Sequence, residues 1–394
     1  MERFRVWTSP PSSIIFWQNI PSIHQAPVIR ELAGLTAARV LMVAENDVPN
    51  DRRRQGWSTP DFGGAECIIG PLREERLRIL KDAGNNSIHI FTGIHAYPET
   101  YWTFREAAHG GATVAVYAEP VDDRGWRGAL KRGLYKLHAL RWSRRLDFLL
   151  LTGQRSRDWF VERGFRQEKI FPYGYFVDWP QSGSAVDTPA LDPKPYRSEW
   201  LFVGQLLPRK GLDLLLYSLA NFREEQWRLR VVGVGRDERV YRQLAEGLGL
   251  ANHVDWLGSV SNDSIKGLMV ASDALILSSR YDGWGAVVNE ALSVGTPVLV
   301  SDACGAAELV AGSERGGVFK AESVPALTVA LRGQLAKGRV DATRRGAIRD
   351  WAAASIAPTV AAEYLLGVME HVRNGAARPR PPWLRDPSTG ENLR

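Results

Sequence analysis

Short, unbroken apolar runs recur along this chain, each separated from the next by a longer stretch with helical spacing. That alternation constrains the fold more than any other feature. A strand buried on both faces carries no polar alternation, and helices between such strands cover the two faces of a parallel sheet. In the first half the strand-like runs are 13–17, 39–44, 66–69, 87–92, 113–118, 147–151 and 170–173, with helical patterns such as 74–83 and 99–108 between them. In the second half they are 200–203, 229–234, 254–258, 274–278, 297–301 and 317–319. Helices are expected there at 212–221, 237–248, 262–271, 286–294, 306–310, 324–336 and 343–354, and a last amphipathic one at 359–372. The fold class is α/β, with two doubly wound Rossmann-like domains of similar size facing each other across a cleft.

A stretch rich in Pro, Ser, Gly and Asp interrupts the pattern. The expected organisation is an N-terminal domain over 1–177, a linker over 178–198 and a C-terminal domain over 199–356. A helix over 357–374 would pack back on the N-terminal domain, and 375–394, rich in Pro and Arg, reads as a mobile tail. The 394-residue length suits two domains, and 44% hydrophobic with 24% charged residues is globular composition. Two cysteines, Cys67 and Cys304, suit a reducing cytosol and make neither a disulfide framework nor a four-thiolate zinc site. A net charge of +6 is too mild to mark a nucleic-acid binder. Residues 1–11 lack the apolar core of a signal peptide, and nowhere do 18 apolar residues run together. Any membrane contact is therefore expected to be peripheral. Several of the 14 tryptophans stand beside Arg or Pro and read as surface or groove residues.

In open α/β sheets ligands bind beyond the carboxyl ends of the strands, at a topological switch point, and phosphates favour helix starts. Three loops of the second half stand out there. The first is Gly204-Gln205-Leu206-Leu207-Pro208-Arg209-Lys210-Gly211, which sets two cations at a helix start already favourable to anions. The second is Gly233-Val234-Gly235, which turn geometry alone would explain. The third, Ser278 to Leu292, passes from a strand through Gly283 and Gly285 into a helix, with Asp282 in the loop and Glu290 a little over one turn into the helix. Free amides of Gly283, Trp284, Gly285 and Ala286 could hold an anion, with an acid on either side of it to bind hydroxyls. A nucleotide sugar has that layout of ribose, diphosphate and hexose.

The stretch 201–310 resembles glycosyltransferase family 4, whose members are retaining enzymes with the two-domain GT-B fold. The resemblance rests on an acid followed eight positions later by Glu (Asp282 and Glu290), and on "VGQLLPRKGLDLLL", "VVGVGRDER", "VDWLGSVSNDSI" and "ALSVGTPVLVSDACGAAELV" in that order. It implies a metal-independent hexosyltransferase that uses a nucleotide-diphosphate sugar, a UDP-sugar favoured, as co-substrate without other cofactor. It implies that Glu290 binds the ribose hydroxyls, that Asp282 contacts the donor sugar beside Gly283, Trp284 and Gly285, and that Lys210 neutralises the leaving diphosphate. Gly204, Gln205 and Arg209 would complete the donor loop, and Val254, Leu257 and Gly258 would border the base. Two departures stand out: Gln205 replaces the family's usual Arg, unless Arg209 or Arg280 supplies that cation, and Asp282 replaces the commoner Glu. No Asp-x-Asp pair and no zinc-like His/Cys spacing occur.

The N-terminal half resembles the family less. A catalytic histidine is expected after an early strand, and His95, following Gly93, is the candidate, with His24, His89 and Glu119 as further acceptor-side residues. A histidine inside a strand pattern, as His89 is, is more often a satisfied core residue. Residues 124–145 carry eight Arg or Lys and no acid, with Trp126, Leu130, Leu134, Leu137 and Leu140 at helical spacing and Arg127, Lys131, His138, Arg141 and Arg145 beside them. Such a helix either packs its stripe on a sheet or lies on an anionic membrane. The implied acceptor is a saccharide or a lipid-linked glycan, in cell-surface polysaccharide synthesis, at a cytoplasmic and peripheral inner-membrane location. A sugar-nucleotide epimerase and a degenerate partner- or glycan-binding protein are the competing expectations.

Overall fold

The computed structural model describes residues 10–53, 58–179, 196–311 and 314–384. Within the bounds Met1–Asp178 with Ile356–Arg394, and Trp179–Ser355, these residues form two compact units.

Unit 1 runs β1 (Ser13–Gln18), α1 (Ala26–Leu35), β2 (Arg39–Ala44), α2 (Asn50–Arg53), β3 (Glu66–Ile69), α3 (Arg73–Ala83), β4 (Ser87–Thr92), α4 (Pro98–Ala107), β5 (Thr113–Ala118), α5 (Gly125–Trp142), β6 (Phe148–Thr152), α6 (Gly153–Val161) and β7 (Ile170–Tyr173). Its strands pair in parallel in the order β3-β2-β1-β4-β5-β6-β7. The central strand β1 is buried along its whole length, so its uninterrupted apolar run has packed layers on both sides. Trp17, Phe91, Phe104, Trp142 and Phe160 fill the core of this unit. Helix α4 starts at Pro98, whose missing N–H costs nothing at that position, and the Glu45 carboxylate accepts from the Thr100 amide at 2.9 Å.

Unit 2 runs β8 (Ser198–Val203), α7 (Leu212–Leu219), β9 (Trp227–Val232), α8 (Glu238–Gly247), β10 (Val254–Gly258), α9 (Asn262–Ala271), β11 (Ala274–Leu277), α10 (Val287–Ser293), β12 (Val298–Ser301), β13 (Gly316–Phe319), α11 (Val324–Lys337) and α12 (Ala342–Ile356). Its parallel sheet has the order β10-β9-β8-β11-β12-β13. Trp200, Leu215, Leu219, Trp227 and Leu331 anchor its core. The Ser261 and Ser323 hydroxyls cap α9 and α11 by accepting the amides of Ser264 and Ala326. The helix expected at 306–310 is a 3₁₀ turn, Gly305–Leu309.

The last helix, α13 (Pro358–Asn374), packs on α1 within unit 1. By length and composition alone, Ala342–Asn374 could cross a bilayer, yet 67% of its most apolar window is buried in the fold, and Ala357 leaves the helical conformation before Pro358.

Two expectations are corrected. Of the tryptophans beside Arg or Pro, Trp142, Trp227 and Trp383 are among the largest fully buried side chains, because their indoles supply the bulk that each core needs, whereas Trp126 is exposed as expected. The expected mobile tail is docked over its described part. Arg378 donates to the carbonyls of Glu168 and Ile170 and lies 4.0 Å from the Phe171 ring centroid, while Trp383 packs on Phe176 and Tyr364. Residues 385–394 of that tail, and 180–195 of the expected linker, lie outside the described residues.

Candidate functional site

The strand order decides which loops meet. In unit 2 the chain builds outward from β8 through β9 to β10, then returns to β11 beside β8 and builds outward the other way. The switch point therefore lies between β8 and β11, and the loops that leave these strands are the Arg209/Lys210 loop and the Asp282 loop. They are joined tightly. The Arg280 amide donates to the Arg209 carbonyl at 2.8 Å, and the Ser278 hydroxyl donates to the Gly211 carbonyl at 2.9 Å. Lys210 Nζ sits 2.5 Å from Asp282 Oδ2, and both side chains are largely buried. An ion pair buried to this degree has a strong local field and few waters to screen it.

Close backbone approach makes this geometry possible. Gly233 has φ +134°, and a Cβ there would stand 1.9 Å from the Gly204 carbonyl oxygen, so only glycine lets the loop after β9 lie against the loop after β8. Gly285 has φ +91°, and a Cβ there would meet Cys304 Sγ at 2.6 Å. The loop is sewn to the chain after β12: the Asp282 amide donates to Ala303, and the Ala306 amide and the Cys304 thiol both donate to the Trp284 carbonyl. Burial, the larger effect, and the nearby Asp282 charge push the Cys304 thiol up, so it acts here as a neutral donor. The Trp284 indole is buried and donates to Asn289 Oδ1 at 2.8 Å, and its carbonyl is taken by Ala306 and Cys304, so this residue has its amide to offer a ligand. Helix α10 begins at Val287, later than expected, and has only 7 residues. Any anion held by Gly283, Gly285 and Ala286 would therefore depend on the loop amides themselves more than on a helix dipole.

Glu290 lies in the first turn of α10. Part of its surface is still open, yet protein crowds the carboxyl enough that burial raises its pKa, a shift only partly offset by Lys266. An acid held against its solvation is poised to accept hydrogen bonds. Arg280 does not supply the missing cation. It makes a two-pronged contact with Asp213 at 2.8 and 2.6 Å and donates to the Pro208 carbonyl, so it braces the loop. Arg209 reaches within 3.9 Å of Asp282 and keeps an accessible side chain. Gln205 is half-buried in the same loop. Of the residues expected to border a base, Val254 belongs to the core, packed inward by the pleat of β10, and is corrected on that ground. Leu257 is exposed, and Gly258 accepts the Gly233 amide at 2.7 Å.

In unit 1 the switch point lies between β1 and β4. The loop after β1 carries His24, whose ring stacks on Tyr175 with centroids 5.0 Å apart. Burial, aided by Arg52, lowers its pKa to about 4, so it is neutral at pH 7. The Tyr175 hydroxyl donates to the Glu119 carboxylate. Tyr97 joins this group: burial foremost, then the charges of Glu119 and Glu45, push its phenol up. His24, Glu45, Arg52, Tyr97, Glu119 and Tyr175 thus gather at the carboxyl ends of the central strands. His95, exposed on the loop after β4, lies edge-on to Tyr101 at 4.7 Å and 5.4 Å from the His138 ring. His89 is corrected to a core residue. It is 1% exposed, its Nδ1 accepts from Trp17 Nε1 at 3.1 Å, and its Nε2 pairs with the Ser87 hydroxyl at 2.9 Å. That hydroxyl already donates to Gly84, so Nε2 carries the proton and the ring is neutral, with a pKa lowered by burial to about 4. Tyr97, Tyr175 and Arg52 carry no sequence signal, since no motif marks a residue whose role comes from a tertiary neighbour, and nothing local to Cys304 foretells its contact with Trp284. Among the described residues no three His, Cys, Asp or Glu side chains gather as metal ligands.

The family model for glycosyl transferases group 1 matches residues 191–344. An uncharacterised glycosyltransferase of Methanocaldococcus jannaschii is 34% identical over 111 residues, 28% of each chain. The GDP-mannose-dependent alpha-(1-6)-phosphatidylinositol monomannoside mannosyltransferase of Mycolicibacterium smegmatis is 30% identical over 215 residues, 49% of this chain and 56% of that one. The chain thus spans about a quarter to just over half of these curated relatives' lengths. The crystal structure of Anabaena HepE in complex with UDP superposes with a TM-score of 0.67 at 18% identity, covering 91% of this chain and 99% of that one. The chain has the α/β two-domain GT-B architecture.

Proposed function

We propose that the chain is a retaining glycosyltransferase that moves a hexose from a nucleotide-diphosphate sugar, a UDP-sugar foremost, to a saccharide or lipid-linked glycan. The observation that carries this reading is the Lys210–Asp282 pair, delivered to the switch point of unit 2 by the loops after β8 and β11. Cleaving the bond between sugar and diphosphate builds negative charge on the leaving group. Lys210, Arg209 and the amides of Gly283 and Gly285 would meet that charge in a site that is already set and poorly hydrated. Asp282, released from Lys210 as the diphosphate takes up the cation, would accept sugar hydroxyls. Glu290, whose carboxylate is short of solvation, would accept the ribose hydroxyls. The polar group around His24, Tyr97, Glu119 and Tyr175 is the acceptor-side counterpart in unit 1, with His95 beside it in sequence.

The chemistry needs no bound metal in this reading, because protein cations and amides take the charge. The group 1 family match over the donor unit and the UDP bound to a protein of the same fold support the donor class. The mannosyltransferase relative, by its name, uses GDP-mannose, so guanine is the competing base. A cytoplasmic place at the inner face of a membrane, in cell-surface polysaccharide synthesis, completes the proposal. The test incubates the purified protein with UDP- and GDP-sugars and a lipid-linked saccharide, with EDTA and again with Mg²⁺. Expected is transfer with retained anomeric configuration, equal in both conditions. Donor consumption without acceptor would instead indicate an epimerase, and nucleotide binding without turnover a degenerate protein.

A further inference from the structure

Helix α5 presents its apolar stripe outward. Trp126 is 71% exposed, Leu130 66%, Leu134 39%, Leu137 63% and Leu140 82%. The face that packs inward is the opposite one, built from Gly128, His138, Ala139 and Trp142, so the stripe contributes nothing to the core. The sequence leaves two readings of this helix, and these contacts exclude packing of the stripe on the sheet. The helix is also firmly mounted. Trp142 lies edge-on to Phe104 at 5.1 Å. A Cβ at Gly128 would stand 1.6 Å from the Asp123 carbonyl oxygen, so that end of the helix lies against the Asp122–Asp123 backbone. Lys131 donates to the Asp122 carbonyl and Arg132 to that of Asp123.

At 100° per residue the five apolar side chains share a sector of about 120° that also holds Arg141; Arg127 and then Lys131 follow beyond one border, and Lys136 and then Arg132, itself paired with Asp123 at 3.5 Å, beyond the other. Arg144 and Arg145 follow directly, and 124–145 holds no acid. An outward apolar strip between two cationic rims matches the interfacial region of a bilayer, acyl chains at the centre and anionic headgroups at the sides. A second copy of the same face fits poorly, because pairing two such strips would bring cationic rim against cationic rim.

We propose that α5 is a docking surface for an anionic lipid bilayer, lying in the headgroup plane with Trp126, Leu130, Leu137 and Leu140 inserted. The inner face of the helix brings His138 to His95 on the loop after β4, so docking would set the acceptor-side loop near the membrane surface. That consequence rests on the transfer reading above; the docking itself does not.

The test floats the full chain with vesicles of phosphatidylcholine alone and of phosphatidylcholine with phosphatidylglycerol. The wild-type protein is expected to bind the anionic vesicles at least ten-fold better, and to be released by raised salt. The triple variant Leu130→Ser/Leu137→Ser/Leu140→Ser, altered only at exposed positions, is expected to lose binding at least ten-fold with unchanged thermal midpoint and unchanged nucleotide titration. Equal binding by wild type and triple variant, or no binding by wild type, overturns the proposal. So does a wild-type dimer in gel filtration that the triple variant abolishes, which would make the face a protein interface. Loss of nucleotide binding by the wild-type protein would strike the donor-site reading and leave the docking result standing.

Discussion

Lys210 is the cation that meets the leaving diphosphate in the proposed reaction. It already faces a carboxylate at 2.5 Å, so its charge is in place before a ligand arrives. Lys210→Ala should lower kcat/KM by about 10²–10³, the usual cost of removing one preorganised donor from a developing oxyanion. Lys210→Arg should recover only part, because a planar fork does not fit a point-charge site. Steady-state kinetics on both variants checks this. His89 has a different job, and pH exposes it. Its folded pKa of about 4 lies below the unfolded value, so the unfolded chain binds the extra proton between roughly pH 6.5 and 4. Stability supported by neutral His89 is present above about pH 6.5 and drains away as pH falls toward 4. The His89→Gln variant should be less stable at pH 7 yet lose about 1–3 kcal/mol less on going from pH 7 to 4.5, as urea midpoints would read. Asp282 and Glu290 were legible as residues because their spacing and glycine neighbours form a pattern. The bracing of Arg280 by Asp213 was not, since nothing local says that a loop arginine is already taken.

Among the elements, strands proved easier to read than helix ends. Continuous apolar runs mark buried parallel strands, and 39–44, 66–69, 87–92, 113–118 and 254–258 carry the same bounds in the structure. Helix α10 starts at Val287 because Gly285 turns at φ +91° and Trp284 is bound back to Cys304 and Ala306, contacts that only the folded chain contains. The loop before α10 should therefore tolerate no side chain at that glycine. Gly285→Ala is expected to cost about 1–3 kcal/mol through backbone strain, with further cost from the Cys304 contact. Adding Cys304→Ala should recover part of the thermal midpoint, and no more than part, because the positive φ and the approach to Leu277 remain. Differential scanning calorimetry of the two variants tests the coupling. For α5, helical spacing revealed the stripe, while the direction in which it points depended on Trp142 and His138 taking the inward face.

For the whole molecule, a two-unit doubly wound plan follows from the βα alternation, and the structure has it. Strand order does not follow, because a parallel run carries no mark of its neighbours. The pairing of β8 with β11 is what physically brings Lys210 and Asp282 to one site, as the family resemblance implies. The described residues after Asn374, through Leu384, illustrate the converse error. Pro and Arg content suggests disorder, yet Trp383 and Arg378 have partners on Phe176 and Phe171 that composition cannot foresee. The central claim, a nucleotide-diphosphate site at the switch point of unit 2, is tested most directly by calorimetric titration of the purified chain with UDP and GDP, with EDTA and again with Mg²⁺, alongside Glu290→Ala. Binding of one nucleotide is expected in both conditions, weakened at least ten-fold by Glu290→Ala. Absence of binding by both, or affinity untouched by that substitution, would contradict it.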